Sequence, residues 1–316
     1  LYGIAVSKET FTFLELPLPE LFGQLISQFK SSISNRSIAS NQAGDLAVLE
    51  DLGSKGFELY QILLKPLIEG HSASIRQLII VPDQGLNYLP FEILSMEDIG
   101  GYPKGAYGAL SYLLKQYVIG YSFSLLADTK ASDETVKRNF AGFYAGFSPA
   151  YGGVDGGKMH SPDWVSTNTC QYEKEKLISL TYSMESVQKL SKLYAGKSFV
   201  ESQATESEFK DQADRYEILH LPLHAFPCEE NPVMSSLIFS PNPGIDSADD
   251  GVLHAYEIYG LSLPSRLAIL SGCHTGVGAF QTGEGVMSLA RAFRTAGCQT
   301  LISALWALDD QKGEYI

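Results

Sequence analysis

Short apolar runs with a period of two alternate along the chain with stretches whose apolar residues recur every three or four positions. The switches between them predict strands and helices in turn. Residues 2–16, YGIAVSKETFTFLEL, read as two short strands around the polar SKET turn. A helical stretch is predicted near Leu46–Ile68, before Gly70. In RQLIIVPDQGLNYLPFEIL the strand pattern Gln77–Val81 stops at Pro82 and runs into a turn and a short helix. Tyr117–Leu125 reads as a further strand that closes this part.

From Phe140 the alternation becomes regular. Ala141–Phe147 is a short apolar strand, followed by the Gly-rich loop Tyr151–Gly157. Across residues 173–195 the positions Leu177, Leu180, Met184, Val187, Leu190 and Leu193 make an amphipathic helix, ended by Gly196. KSFVES is a strand, and Thr205 with Glu208 forms a capping-box signature for the next helix. YEILHLPLH and RLAILSGCHTG read as strands whose ends carry His224 and Cys273. GEGVMSLARAFRTAG reads as a helix between glycines, and QTLISALWAL as a last buried strand.

Such alternation predicts an α/β fold, a mainly parallel sheet covered by helices on both faces. In sheets of this kind reactive groups sit outside the carboxyl ends of the strands, where His224 and Cys273 fall. The polar segment Ala127–Asn139 marks a boundary between a mixed part, residues 1–130, and an alternating part, residues 138–316. A surface helix over DETVKRN is the alternative for that segment.

The length of 316 residues agrees with about two domains, and 45% hydrophobic with 19% charged residues is a globular composition. With 23 basic and 36 acidic residues the net charge is −13, which disfavours direct nucleic-acid binding or an anionic membrane surface. No apolar run reaches the roughly 18 residues of a membrane span. Cys170, Cys228, Cys273 and Cys298 form no CxxC pair, so no disulfide framework is expected and a reducing, cytoplasmic setting fits. No signal peptide is visible, and both ends read as cut from something longer, the last helix and strand being absent.

A cysteine hydrolase needs a thiolate, an imidazole that moves a proton and donors for the oxyanion. Cys273 sits at the corner where an apolar strand meets His-Thr-Gly, and His224 ends another strand, followed by Ala225. If those strands are neighbours, imidazole and sulfur converge and the histidine favours the thiolate. Periodicity alone explains Cys273 equally well as an inert cysteine in an apolar run. His274 follows Cys273 directly and points the other way in an extended segment, which makes it the poorer base.

Other chemistries are less well supported. His220, His224 and Cys228 recur every four residues, with Cys273 and His274 as further conceivable metal ligands. Pro222 and the alternation favour a strand, on which His220 and His224 lie about 13 Å apart, too far for one ion. GEGVMSLARAF lacks the third glycine of a dinucleotide loop and the Gly-Lys-Ser/Thr of a P-loop. Glu284 near the positive end of a helix explains that stretch more simply. Asp83 and Glu92 are explained by turn chemistry and a helix-dipole position. No metal and no organic cofactor is expected.

Three strings carry a resemblance: LIIVPDQGLNYLPFEIL, HLPLHAFPCEENPVMSSLIFS and RLAILSGCHTGVGAFQTGEGVMSLARAFRTAGCQTLISALWALDD. In this order they resemble the CHAT domain, a family of caspase-like cysteine peptidases related to separase and commonly attached to TPR repeats. The resemblance implies a three-layer α/β/α sandwich in residues 138–316, preceded by a degenerate, pseudo-protease α/β half. It implies a catalytic dyad of His224, matching the family's His-Gly pair, and Cys273, matching Ser-Ala-Cys-x-Thr-Gly. It further implies an oxyanion hole from the backbone N–H groups of Ala225 and Cys273. Ala225 replaces the usual glycine, which questions any backbone with positive φ there.

The implied activity is endopeptidase cleavage of a protein substrate, released by a partner or an upstream TPR region. The settings include prokaryotic defence with CRISPR-associated complexes, and cleavage of gasdermin-like pore formers. The substrate pocket is expected in the loops Ser148–Asp155 and Ala304–Asp310. Asp155 or Asp309 would select Arg or Lys, and Trp306 would form a wall. The competing class is a non-catalytic scaffold with the same fold, against which the intact His224 and Cys273 speak. Residues 1–126 hold no cysteine and only His71, so the first half is not expected to be catalytic.

Overall fold

The computed structural model describes residues 1–35, 42–71, 74–98, 107–123, 140–151, 177, 180–228, 230–241, 249–272, 278–281, 285–305 and 310. The chain divides into two compact units, Leu1–Lys130 and Ala131–Ile316.

In the first unit β1 (Tyr2–Val6) and β2 (Phe11–Glu15) pair antiparallel, Val6 opposite Phe11. The SKET turn between them closes where Ser7 Oγ accepts the Thr10 N–H at 3.0 Å. Helix α1 (Phe22–Asn35) was not foreseen, although Phe22, Leu25, Ile26 and Phe29 carry helical spacing. The predicted helix over Leu46–Ile68 is two, α2 (Gln42–Leu63) and α3 (Lys65–Ile68). Pro66 breaks it, because its nitrogen cannot donate to the carbonyl four residues back. Leu25, Phe29, Leu52, Leu59 and Leu63 bury together with Leu89, Phe91, Leu94 and Leu113 in one core. Strand β3 (Gln77–Ile80) runs parallel to β4 (Val118–Tyr121), which α4 (Leu113–Gln116) feeds. Asp83 accepts the Gln84 N–H at 2.9 Å and Glu92 accepts the Tyr121 hydroxyl at 2.7 Å. Both acids therefore serve local structure.

The second unit runs β5 (Gly142–Ser148), α5 (Thr181–Leu193), β6 (Lys197–Val200), α6 (Glu206–Gln212) and β7 (Tyr216–His220). Three short strands follow, β8 (Ala225–Phe226), β9 (Ser236–Ile238) and β10 (Val252–His254), then α7 (Ala255–Ile258) and β11 (Leu267–Leu270). The described chain ends with β12 (Gly278–Gln281), β13 (Gly285–Ser288), α8 (Leu289–Thr295) and β14 (Thr300–Ser303). Five of these strands form one parallel sheet in the order β14-β11-β7-β5-β6.

Alternation along β5 assigns the two faces of that sheet. Tyr144 and Gly146 face α5, whose Val187 lies so close that a Cβ on Gly146 would stand 2.6 Å from its Cγ1. Phe147 faces the other way, stacked on Phe199 at 4.4 Å and edge-on to Phe209 of α6 at 5.3 Å. Phe209 in turn meets Phe293 of α8 at 6.2 Å. Phe147, Phe209 and Phe293 are fully buried, each contributing about 2 kcal/mol by removing its ring from water. A parallel sheet with helices on both faces is compatible with the caspase-like α/β/α sandwich that the sequence led us to expect. Thr205 caps α6 as read from the sequence, accepting the Glu208 N–H at 3.2 Å.

Two readings need correction. GEGVMS does not open a helix: residues 285–288 form β13, paired antiparallel with β12. The helix starts only at Leu289, where Ser288 accepts the Arg291 N–H at 3.3 Å. Glu284 lies outside the described residues. YEILHLPLH is not one strand either, since β7 stops at His220 and the bond from the Leu221 N–H to the Ile269 carbonyl is its last link to β11. Pro222 has no N–H to continue the ladder. Among the described residues no helix is long and apolar enough to cross a membrane.

Candidate active site at the carboxyl ends of the parallel strands

Strands β7 and β11 are neighbours, and their register pairs Ile269 with His220. His224 lies four residues beyond His220, and Cys273 four residues beyond Ile269. The two segments thus leave the same edge of the sheet from directly paired positions, in the same direction. The condition on which convergence of imidazole and thiol depends is met at this level. Cys273 and His274 lie outside the described residues, as do Asp155, Trp306 and Asp309.

His224 does not end β7. It immediately precedes β8, in a second, antiparallel sheet of order β10-β9-β8. Its carbonyl accepts the Ile238 N–H at 2.9 Å, so His224 and Ile238 form a hydrogen-bonded pair. The reciprocal bond is replaced by a side chain. Tyr151 Oη accepts the His224 N–H at 3.1 Å and donates to the Ile238 carbonyl at 2.7 Å. The Tyr151 ring also packs against the imidazole, with centroids 4.6 Å apart. Burial pushes the Tyr151 phenol far above its ordinary pKa, so it stays a neutral donor.

The same register decides where the Ala225 N–H points. Ala225 lies opposite Leu237, next to the hydrogen-bonded His224–Ile238 pair. In an antiparallel ladder such a position turns its N–H and C=O away from the partner strand. β8 is the edge of its sheet, so this N–H points away from β9, where no further strand pairs with it among the described residues. Ala225 is not among the residues with positive φ, and the conformation makes no demand for glycine there.

His220 is 7% exposed, and both of its ring nitrogens are engaged. Nδ1 lies 2.9 Å from Tyr144 Oη and Nε2 lies 3.2 Å from Ser271 Oγ. Burial pushes its pKa down to about 4, so it is a neutral imidazole. Cys228 is buried, and its sulfur accepts the Asn231 N–H at 3.3 Å. Among the described residues no three His, Cys, Asp or Glu side chains are grouped to hold one.

Sequence reasoning missed Tyr151, Tyr144 and Ser271. The sequence reading gives Tyr151 as the start of a Gly-rich loop and as part of the Ser148–Asp155 pocket loop, with no role at His224. Its one sequence signal is an aromatic hydroxyl just past the end of a buried strand, and its partners lie 73 and 87 residues away. Asp310 closes part of the same unit, accepting the N–H groups of Tyr182 and Ser183 at 3.0 Å where α5 begins.

A protein-family model described as CHAT domain matches residues 54–315. No curated protein matches the chain.

Proposed function

Because the chain belongs to the CHAT domain family, a family related to caspase-like peptidases, we propose that it is a cysteine endopeptidase acting through His224 and Cys273 on a protein substrate. The observation that carries this reading is the register of β7 with β11, from which the His224 and Cys273 segments depart side by side. The outward N–H of Ala225, next to His224, gives the reading a second support.

The chemistry follows from these positions. The Cys273 thiolate attacks the scissile carbonyl carbon, and the new oxyanion accepts hydrogen bonds from the backbone N–H groups of Ala225 and Cys273. The His224 imidazolium donates its proton to the leaving amine as the C–N bond breaks. Water then attacks the thioester, His224 takes its proton, and the thiolate leaves as the acid product is released. Tyr151 acts behind this step, holding the His224 backbone and ring. A partner or an upstream TPR region raises the activity above the basal level of the chain itself. By the family resemblance, Asp155 or Asp309 would select Arg or Lys before the cleaved bond, with Trp306 as a wall of that pocket.

Covalent capture tests the reading. A library of peptides capped with an acyloxymethyl ketone is incubated with the full chain in reducing buffer, and the modified residue is located by mass spectrometry. The adduct is expected on Cys273 and is expected to be lost in His224→Ala. Adducts spread over Cys228 and Cys298, with Cys273 unmodified, would count against it.

A further inference from the structure

One polar chain of side chains, buried at Tyr144 and His220, runs across three neighbouring parallel strands. Tyr144 of β5 reaches His220 of β7, and His220 reaches Ser271, the first residue after β11. The chain lies on the face that α5 covers.

The backbone makes room for it. Gly146 pairs directly with His220, and a Cβ there would stand 2.6 Å from Tyr144 Oη. The absent side chain is therefore the space through which the phenol reaches the imidazole. A polar chain buried in a packed layer costs free energy unless every member is satisfied. Here the members satisfy one another. Among the described residues His220 Nδ1 is the acceptor that Tyr144 Oη meets. A buried neutral phenol donates its proton, so Nδ1 accepts and Nε2–H donates to Ser271 Oγ.

We infer that His220 is a positioning residue: with Tyr144 and Ser271 it locks the ends of β7 and β11 together, so that the segments carrying His224 and Cys273 start from a fixed separation. The inference rests on the dyad reading above. Ser271 stands two residues before Cys273, and His220 four before His224. The chain thus ties the two strands by their side chains close to where the segments of His224 and Cys273 begin. Proton transfer and attack depend on sub-ångström placement, so loosening this tie costs rate and not merely stability.

The test needs no substrate. The full chain and its Tyr144→Phe, Ser271→Ala, double and His224→Ala variants are treated with iodoacetamide between about pH 5 and 9, and the Cys273 peptide is quantified. Circular dichroism and Tm record folding; each variant of the chain removes a single hydroxyl, so either can stand if the other fails to fold. In the parent, Cys273 is expected to react at about pH 6 faster than a free thiol, by about tenfold, and His224→Ala to abolish that advantage. Tyr144→Phe and Ser271→Ala are each expected to lose most of the advantage, the double variant losing no more than either one. A wholly structural role would lower Tm and leave the pH profile unmoved. An advantage lost in His224→Ala but intact in both hydroxyl variants would overturn the inference and leave the dyad standing. Free-thiol reactivity at Cys273, indifferent to His224→Ala, would overturn both.

Discussion

Tyr151 takes the place of a backbone hydrogen bond at His224. Its hydroxyl stands between the His224 N–H, at 3.1 Å, and the Ile238 carbonyl, at 2.7 Å, where strand pairing would otherwise join them directly. The strands are spread by one oxygen at the residue that supplies the imidazole, and the same ring packs on that imidazole.

Removing this oxygen leaves a buried N–H and a buried C=O unpaired. Tyr151→Phe is expected to lower the unfolding free energy by about 1–3 kcal/mol in a urea titration. In peptide-cleavage kinetics kcat should fall while KM stays unchanged, because His224 loses its support and the pocket does not. Unchanged stability and kcat together would mean that the bridge is not made in solution.

The helix before β7 makes a second prediction. Lys210 is held by Glu206, 1% exposed, at 2.6 Å, by Asp249 at 2.8 Å and by Glu257 at 3.0 Å. The other Glu206 oxygen accepts the N–H of Gly251, whose φ of +87° only glycine adopts without strain. This knot ties α6 to the start of β10 and so to the small sheet whose edge follows His224. Lys210→Met leaves the Glu206 carboxylate buried without its cation, at a cost of about 3–5 kcal/mol at neutral pH. Burial already raises the Glu206 pKa, against the pull of Lys210. A carboxyl whose folded pKa exceeds its unfolded one binds more protons when folded, so its penalty grows as pH rises between the two values. Losing Lys210 raises the folded pKa further. The variant's deficit should therefore shrink as pH falls through the Glu206 pKa, measured by urea unfolding from neutral pH downward. A deficit that grows in acid would contradict the buried pair.

Much of this arrangement was legible in the sequence, for reasons tied to particular residues. Strands β7 and β11 announced themselves because apolar runs that stop at polar turns mark strand ends in an α/β fold. Thr205 announced a helix because its cap is local, three residues long. The small sheet of β8, β9 and β10 was not legible: two or three residues give no period, and the pairing of Ala225 with Leu237 is long-range. The hairpin of β12 and β13 was mistaken for the start of α8, since GVMS is too short and apolar for its type to be read. Tyr151, Tyr144 and Ser271 were missed because each works through partners far away in the chain. Only the fold brings those partners within hydrogen-bond reach.

Cys298 supplies an internal control for thiol chemistry. It is a free, fully buried thiol that lies 3.2 Å from the Thr300 carbonyl, and burial pushes its pKa up to about 11. Native protein treated with iodoacetamide at about pH 7 should leave Cys298 unmodified, and denaturation should expose it. Labelling of Cys298 at equal rates in native and denatured protein would refute its burial.

The most direct test of the central claim is cleavage of a diverse peptide library by the full chain, with Cys273→Ala and His224→Ala alongside. The account predicts cut peptides from the parent and none from either variant, with the cut sites reporting which residue the pocket accepts. Cleavage that survives both substitutions would contradict it, because the nucleophile and the proton carrier would then lie elsewhere.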